Sequence, residues 1–336
     1  MPKARTIVFT SPKKVEIQET TLPPLKEDEV LVETLCSAIS AGTEMLVYRG
    51  QFPNLADTHD TFSSELKYPL AYGYACVGVI RETGSQVDKS LQGKHVFAFQ
   101  PHASSFIAHP SSLIPIPNSI TPENACFLPN METAVNLVQD GAPILGERVL
   151  VLGQGIIGLL TTSLLSEFPL DKLITADFHA LRRTASANIR NVHSFDSSTS
   201  DFHALSSAYA QGKFDITFEL SGSPAALNDA IELTIFSGRI VIGSWYGQKR
   251  AEIDFGGSFH RSRIRLISSQ VSTISPDLSG RWDKSRRFDV AWHALERIRP
   301  EKWITQRFSI ADAAKAYQLL DEKPQETIQV VFDYLK

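Results

Sequence analysis

Residues Arg148–Glu167, RVLVLGQGIIGLLTTSLLSE, constrain the fold more than any other stretch of the chain. An apolar strand, Arg148–Leu152, runs into Gly153-Gln154-Gly155-Ile156-Ile157-Gly158, and an apolar helix follows without a break. In a strand–turn–helix unit the spacing G-x-G-x-x-G has a mechanism. Gly153 turns the chain out of the strand, Gly155 lets the backbone approach a pyrophosphate, and Gly158 lets the helix pack closely on the sheet. The helix N-terminus, at Ile156 and Ile157, then faces the anion with its dipole and its unsatisfied N–H groups. No acidic side chain follows until Glu167, so nothing in the first turns repels a phosphate. The next apolar run, Lys172–Asp177 (KLITAD), ends in an acid 24 positions after Gly153. An acid there can accept hydrogen bonds from the hydroxyls of an adenosine ribose. The stretch predicts a parallel α/β unit that holds a dinucleotide.

A unit of that kind accounts for only part of 336 residues, so two domains are expected. With 43% hydrophobic and 21% charged residues the chain reads as soluble and globular. The net charge of −4, with Lys and Arg scattered, gives no footprint for nucleic acid or an anionic membrane. The N-terminal MPKARTIVFT lacks the apolar core of a signal peptide, and no run reaches the ~18–20 apolar residues of a membrane span. Cys36, Cys76 and Cys126 have no C-x-x-C spacing, which argues against a disulfide framework and a structural zinc lobe. Buried thiols in a reducing cytoplasm are expected.

Residues 1–120 carry the punctuation of a distorted β-barrel. Arg5–Phe9, Val15–Glu19 and Val30–Ala38 show the alternation of half-buried strands, and Tyr74–Arg81, Gly93–Phe99 and Ser112–Pro117 continue it. Thr121 with Pro122 behind it marks a helix start. From Glu132 the rhythm becomes strand–helix alternation, the pattern of a parallel sheet covered on both faces. Its further strands are expected at Val192–Phe195, Phe214–Leu220, Gly238–Ser244 and, at the edge, Ile264–Val271. Beyond Ser272 come helices at Trp292–Ile298 and Ser309–Leu320, the latter with Ser309 as cap and Asp312 at the capping-box position. A last strand, Thr327–Phe332, is expected to pair back into the N-terminal half. The expected division is residues 1–131, 132–272 and a return over 273–336.

A β-rich first domain, an inserted nucleotide fold and a C-terminal return resemble the medium-chain dehydrogenase/reductase superfamily over nearly the whole chain. The landmarks are Val30–Gly50, Pro69–Gly84, the glycine turn, Phe214–Gly222 followed by Gly238–Gly247, and Phe308–Leu320. The resemblance implies an α/β protein with a GroES-like catalytic barrel and a Rossmann-type doubly wound sheet. It also implies hydride transfer with a nicotinamide cofactor, Thr133, Ser221, Gly243 and Ser244 near that cofactor, and a homodimer formed through the nucleotide-binding domain. Ser40-Ala41-Gly42-Thr43-Glu44 and Arg281-Trp282-Asp283 are similar to a subgroup containing bacteriochlorophyllide hydroxyethyl dehydrogenase.

The departures from the zinc enzymes of that superfamily bear on the chemistry. A ligand cysteine is replaced by Ser40, a Gly-His-Glu motif by Gly73-Tyr74-Ala75, and the third ligand position falls near Pro129–Glu132, with no Cys or His. Glu44, His102 and Glu132 are an alternative donor set, but zinc needs three or four ligands at bonding distance and none is expected to be bound. Without a metal, a side chain must donate to the carbonyl oxygen or accept the hydroxyl proton. The candidates are Tyr74, Ser40, Thr43, Glu44 and His102; a positive neighbour would lower the phenol's pKa for that work. Each has a plainer role available: Tyr74 as a pocket wall, His102 as a hydrogen-bonded loop residue, Glu44 as a loop buttress and Glu132 as a brace beside Thr133.

Asp177 favours NAD, because a 2′-phosphate would meet its carboxylate; Arg182 and Arg183 nearby could welcome that phosphate and keep NADP open. The expected activity is reduction or oxidation of a small alcohol, aldehyde or ketone. Alternatives are reduction of an activated C=C bond with NADPH, and a nucleotide-binding protein without catalysis. Pocket size rests on loops such as Phe52–Lys67 and Trp282–Arg287, which the sequence does not place.

Overall fold

The computed structural model describes residues 2–52, 67–205 and 213–334, and all counts refer to these. The expected pocket loop at 53–66 lies outside the described residues. Two compact units result, Met1–Pro129 with Arg299–Lys336, and Asn130–Ile298.

The first unit opens with β1 (Lys3–Ser11) and β2 (Lys14–Thr21), an antiparallel hairpin. β3 (Val30–Ala38) follows, then helix α1 (Glu44–Arg49) and the short β4 (Leu70–Ala71), which pairs with β1. β5 (Cys76–Thr83), β6 (His95–Ala98), β7 (Ser105–Ala108) and β8 (Leu113–Pro115) complete the barrel half, with β3 paired to both β5 and β7. Alternating apolar residues make the strands two-faced, and Val30, Val32, Ile80, Val96 and Leu113 close into one core. Helix α2 (Pro122–Ala125) begins as expected, with Thr121 Oγ1 accepting the Asn124 N–H at 3.2 Å. The chain leaves this unit in the first turn of α3 (Leu128–Gly141).

The second unit is the strand–helix alternation. Its elements are β9 (Arg148–Leu152), α4 (Ile156–Leu165), β10 (Lys172–Asp177), α5 (Ala180–Ala187), β11 (Val192–Asp196) and α6 (Ser200–His203). Then come β12 (Phe214–Glu219), α7 (Ala226–Leu233), β13 (Thr234–Ile242), β14 (Arg265–Ser268) and α8 (Lys284–Ile298). The six strands are parallel, in the order β11-β10-β9-β12-β13-β14. The order therefore reverses between β9 and β12, and a crevice opens at their carboxyl ends. Val149, Leu150 and Val151 are fully buried, as a strand covered on both faces requires. Helix α8 starts well before Trp292 and belongs to this unit, so the return begins at Arg299 and not at residue 273.

The return supplies β15 (Ile304–Ser309), α9 (Ala313–Glu322) and β16 (Gln329–Asp333) to the first unit. β16 pairs antiparallel with β3 and parallel with β15. Tyr317 and Phe332 join Ile7, Phe9, Met45 and Val47 in a second core. Ser309 caps a short 3₁₀ turn, Ile310–Asp312, not the α-helix itself, and Asp312 bonds Lys315 at 2.7 Å where a capping box would have turned it back. No helix among the described residues is long and apolar enough to cross a membrane.

Candidate active site

In the second unit the glycine turn has the geometry its spacing predicts. Gly153 sits at φ +89°, and a β-carbon there would lie 2.6 Å from the Leu220 carbonyl. At Gly158 a β-carbon would come within 2.0 Å of the Gly153 oxygen, so helix and turn meet only without a side chain. Gly155 borders open space; Arg182 Nη1, at 3.9 Å from its β-carbon position, is the nearest group. A backbone that can be approached, at the N-terminus of a helix with no acid in its first turn, fits a dinucleotide's pyrophosphate. Ile156 is buried against the sheet and Ile157 half-buried beside it.

Asp177 closes the turn from β10. Its Oδ2 accepts the Gln154 N–H and its Oδ1 the His179 N–H, both at 2.7 Å. Each oxygen keeps a lone pair for a ribose hydroxyl. The two arginines part company. Arg183 donates to the carbonyls of Asp177 and Phe178 and pairs with Asp196 at 2.9 Å. Arg182 leans over the turn, its burial lowering the guanidinium pKa and Asp177 partly restoring it.

Across the crevice, Ser221, Gly243 and Ser244 stand on the loops after β12 and β13. Ser244 Oγ accepts the Gly222 N–H at 2.9 Å, and a β-carbon on Gly243 would press on Leu137 and Leu220 at 2.6 Å. What joins these loops is Glu219, which no sequence motif singles out. Fully buried at the end of β12, it accepts from the Ser221 N–H at 2.8 Å, from the Ser221 hydroxyl and from Tyr246 at 2.5 Å. Burial, with the Glu219 carboxylate beside it, pushes the Tyr246 phenol far up. Thr133 lies half-buried on α3 in this unit.

The first unit brings together all five candidates for proton transfer. Tyr74 donates from its phenol to Ser40 Oγ and, at 3.3 Å, to Thr43 Oγ1. These three residues are half-buried. Glu44 and His102 lie behind them, both 0% exposed, and bond each other at 3.0 Å. Neither is exposed, and His102, in the bend between β6 and β7, is the hydrogen-bonded loop residue of the plainer reading, now seen to be buried. The condition stated for Tyr74, a positive neighbour that lowers its pKa, is not met by the groups that shift it. Burial raises its pKa, the Ser40 and Thr43 hydrogen bonds partly offset this, and Glu44 adds to the rise. Burial and Glu44 thus both oppose ionisation of the phenol.

Three further residues complete this cluster, two of them from far along the chain. Tyr317, on α9, donates to Glu44 Oε2 at 2.5 Å; Ser37, on β3, bonds His102 Nδ1 at 2.7 Å and the Tyr334 phenol at 2.8 Å. The only local hint was Gly73, whose φ of +122° favours glycine and whose β-carbon would lie 2.6 Å from the His102 ring.

Glu132 does not join Glu44 and His102. It belongs to the second unit, where it pairs with the buried Arg287 at 2.7 Å. Among the described residues no three His, Cys, Asp or Glu side chains gather as a metal-binding group. The cysteines are free and buried, with Cys36 and Cys126 sulfurs 3.2 Å apart and burial pushing the Cys76 thiol up to about 12.

No family model matches the chain. It is 23% identical over 214 residues to L-idonate 5-dehydrogenase (NAD(P)(+)) of Escherichia coli K12, a match spanning 61% of this chain and 56% of that protein. It therefore covers little more than half the length of that curated relative. Among solved structures, 2R,3R-butanediol dehydrogenase of Bacillus subtilis superposes with a TM-score of 0.79 at 17% identity, over 98% of this chain and 99% of that one. An alcohol dehydrogenase of Escherichia coli CFT073 in complex with NADH superposes with a TM-score of 0.77 at 20% identity, over 98% and 99%. Barrel half, parallel sheet and return thus share their fold with these enzymes.

Proposed function

We propose that the protein is a nicotinamide-dependent oxidoreductase that interconverts a small alcohol and its carbonyl compound, with Tyr74 as the proton donor and acceptor and no zinc in the reaction. The hydroxyl cluster of Tyr74, Ser40 and Thr43 carries the reading. Its phenol, whose ionisation burial and Glu44 oppose, is shared between two hydroxyls and stands on the unit that lacks the dinucleotide turn. The cofactor, when bound, supplies or accepts the hydride. The glycine turn and the α4 N-terminus hold its pyrophosphate, Asp177 accepts from its ribose, and Arg182 adds charge beside the turn. During reduction Tyr74 gives its proton to the carbonyl oxygen, and Ser40 and Thr43 orient that phenol.

Zinc independence is supported by the donor set. Ser40 and Tyr74 bond each other, Glu44 and His102 are saturated behind them, and Glu132 is held by Arg287. NAD is favoured over NADP because Arg183 is committed to Asp196 while Asp177 stands at the ribose position. Ser40–Glu44 and Arg281-Trp282-Asp283 resemble the subgroup containing bacteriochlorophyllide hydroxyethyl dehydrogenase, whose substrate is not carried over. A homodimer through the second unit is supported by β14, the edge strand of its described sheet, with Leu266 and Phe236 exposed nearby.

The test is a hydride-transfer assay with NADH and NADPH against aldehydes, ketones, α-hydroxyketones and enones, with metal analysis of the same sample. Turnover of carbonyls with NADH, and less than a tenth of a zinc per chain, is expected. Turnover of enones alone would assign C=C reduction. No turnover despite tight cofactor binding would leave a binding protein, and stoichiometric zinc would overturn the metal-free mechanism.

A further inference from the structure

We infer that the buried Glu44–His102 pair is a positioning device that sets the Tyr74 phenol against the Ser40 hydroxyl from both sides at once. The inference rests on the reading of Tyr74 as the proton donor. Neither member touches a substrate, since both are 0% exposed, so any effect on the reaction must pass through what they hold.

Glu44 holds the Ser40 arm. Its Oε1 accepts the Ser40 backbone N–H at 2.7 Å, while the Glu44 N–H donates to the Ser40 carbonyl at 2.8 Å. Residue 40 is thereby clamped through both of its backbone polar groups, and its hydroxyl projects from a fixed base. His102 holds the Tyr74 arm. Its imidazole fills the place of a side chain at position 73, within 2.6–2.8 Å of where a β-carbon would stand, so the backbone leading into Tyr74 lies on the ring. The bond from His102 Nε2 to Glu44 Oε2, 3.0 Å, joins the two arms.

The pair is itself fixed from behind. Tyr317 donates to Glu44 Oε2, Ser37 bonds His102 Nδ1 and Tyr334 bonds Ser37, while Phe332 meets the imidazole edge-on at 5.2 Å between centroids. The donors and acceptors close when Nε2–H donates to the carboxylate and Nδ1 accepts from Ser37, which accepts from Tyr334. No Lys or Arg touches the carboxylate in these bonds. A buried carboxylate without a guanidinium or ammonium is costly. Three donors arriving from the loop before α1, from α9 and from the segment around His102 are what it offers in return, and an apolar side chain could not bind all three. A shift of about 1 Å between reacting groups costs on the order of 100-fold in rate, so rigid support at this point has a functional consequence.

The test is a double-mutant cycle on the full chain with NADH and the carbonyl compound turned over fastest in the panel above. It is read together with the ¹³Cζ resonance of Tyr74 in tyrosine-labelled protein, assigned by its loss in Tyr74→Phe. Tyr74→Phe should lower kcat by about 100-fold or more. Glu44→Gln should lower kcat by about tenfold with the KM for NADH unchanged, and should move the Tyr74 resonance. Added to Tyr74→Phe, it should lower kcat no further, because a residue that acts through Tyr74 has nothing left to position. Tyr317→Phe, which removes one hydroxyl and keeps the pair, should show the same pattern at smaller amplitude and guards against a Glu44 variant that does not fold. Full additivity with Tyr74→Phe, or an unmoved Tyr74 resonance in both variants, overturns the inference. If instead Tyr74→Phe leaves kcat intact while the resonance moves in the Glu44 and Tyr317 variants, the positioning stands and the assignment of Tyr74 as proton donor falls.

Discussion

Arg287 gives the sharpest test of how the second unit is held together. Its side chain is fully buried in α8. Nε and Nη2 donate to Glu132 Oε1 at 3.1 and 2.7 Å, Nη1 donates to Asn136 Oδ1 at 2.6 Å and to the Thr273 carbonyl at 3.1 Å, and Nη2 also reaches the Val271 carbonyl. Arg287→Met would keep much of the volume and remove every one of these bonds. Glu132, 3% exposed, would be left with Lys284 at 3.6 Å as its ion-pair partner. Breaking a buried pair from one side costs about 3–5 kcal/mol, because the remaining charge stays desolvated. Lys284 can recover part of this by swinging in, so about 3 kcal/mol is expected. Against a total of about 5–15 kcal/mol that is a large fraction, and at about 2–4 °C per kcal/mol it lowers Tm by about 6–12 °C. Urea unfolding followed by tryptophan fluorescence suits the measurement, since Trp245, Trp282 and Trp292 all lie in this unit. The double variant Glu132→Met/Arg287→Met removes both charges and should be more stable than Arg287→Met alone. A loss below about 1 kcal/mol for the single variant, or a double variant as unstable as the sum of its parts, would refute the reasoning.

Other perturbations have equally definite outcomes. Gly158→Ala sets a β-carbon 2.0 Å from the Gly153 oxygen, so NADH affinity measured by fluorescence titration should fall at least tenfold. Asp177→Ala should weaken NADH more than NADPH in the same titration, and an unchanged preference would remove the carboxylate as the source of discrimination. Burial, with Glu44 beside it, raises the Tyr317 phenol well above its usual value, and burial does the same for Tyr334. A raised folded-state value means that this stabilisation is complete below the ordinary phenol pKa of about 10 and is lost as pH rises beyond it. Unfolding free energies from urea titrations between pH 8 and 11 should therefore fall by about 1.4 kcal/mol per pH unit for each such phenol above pH 10, and Tyr317→Phe should flatten the fall.

The second unit was largely legible from the chain, because its determinants are local. A turn that needs three glycines, a helix that must begin without acid, and strands of four to six apolar residues all write themselves into contiguous sequence. The same holds for Ser40, Thr43 and Glu44, which one helix start gathers at Glu44–Arg49. Boundaries slipped where tertiary packing overrode the local signal. The helix expected from Trp292 begins at Lys284, because Arg287 finds its partners inside the unit.

What the sequence determined by itself was therefore the class of fold, the place of the glycine turn and the residues that one turn of helix or one strand end can bring together. The tertiary structure alone decided what stands behind them. Tyr317 meets Glu44 across 273 positions and Tyr334 meets Ser37 across 297, and no periodicity encodes a pairing at such separations. Glu132, Asn136 and Asp140 recur at helical spacing and so mark one face of α3, but only packing shows that Arg287 and Ser269 cover it. A 3.6-residue period says which side of a helix turns inward; the partner waiting there is fixed by the path of the whole chain.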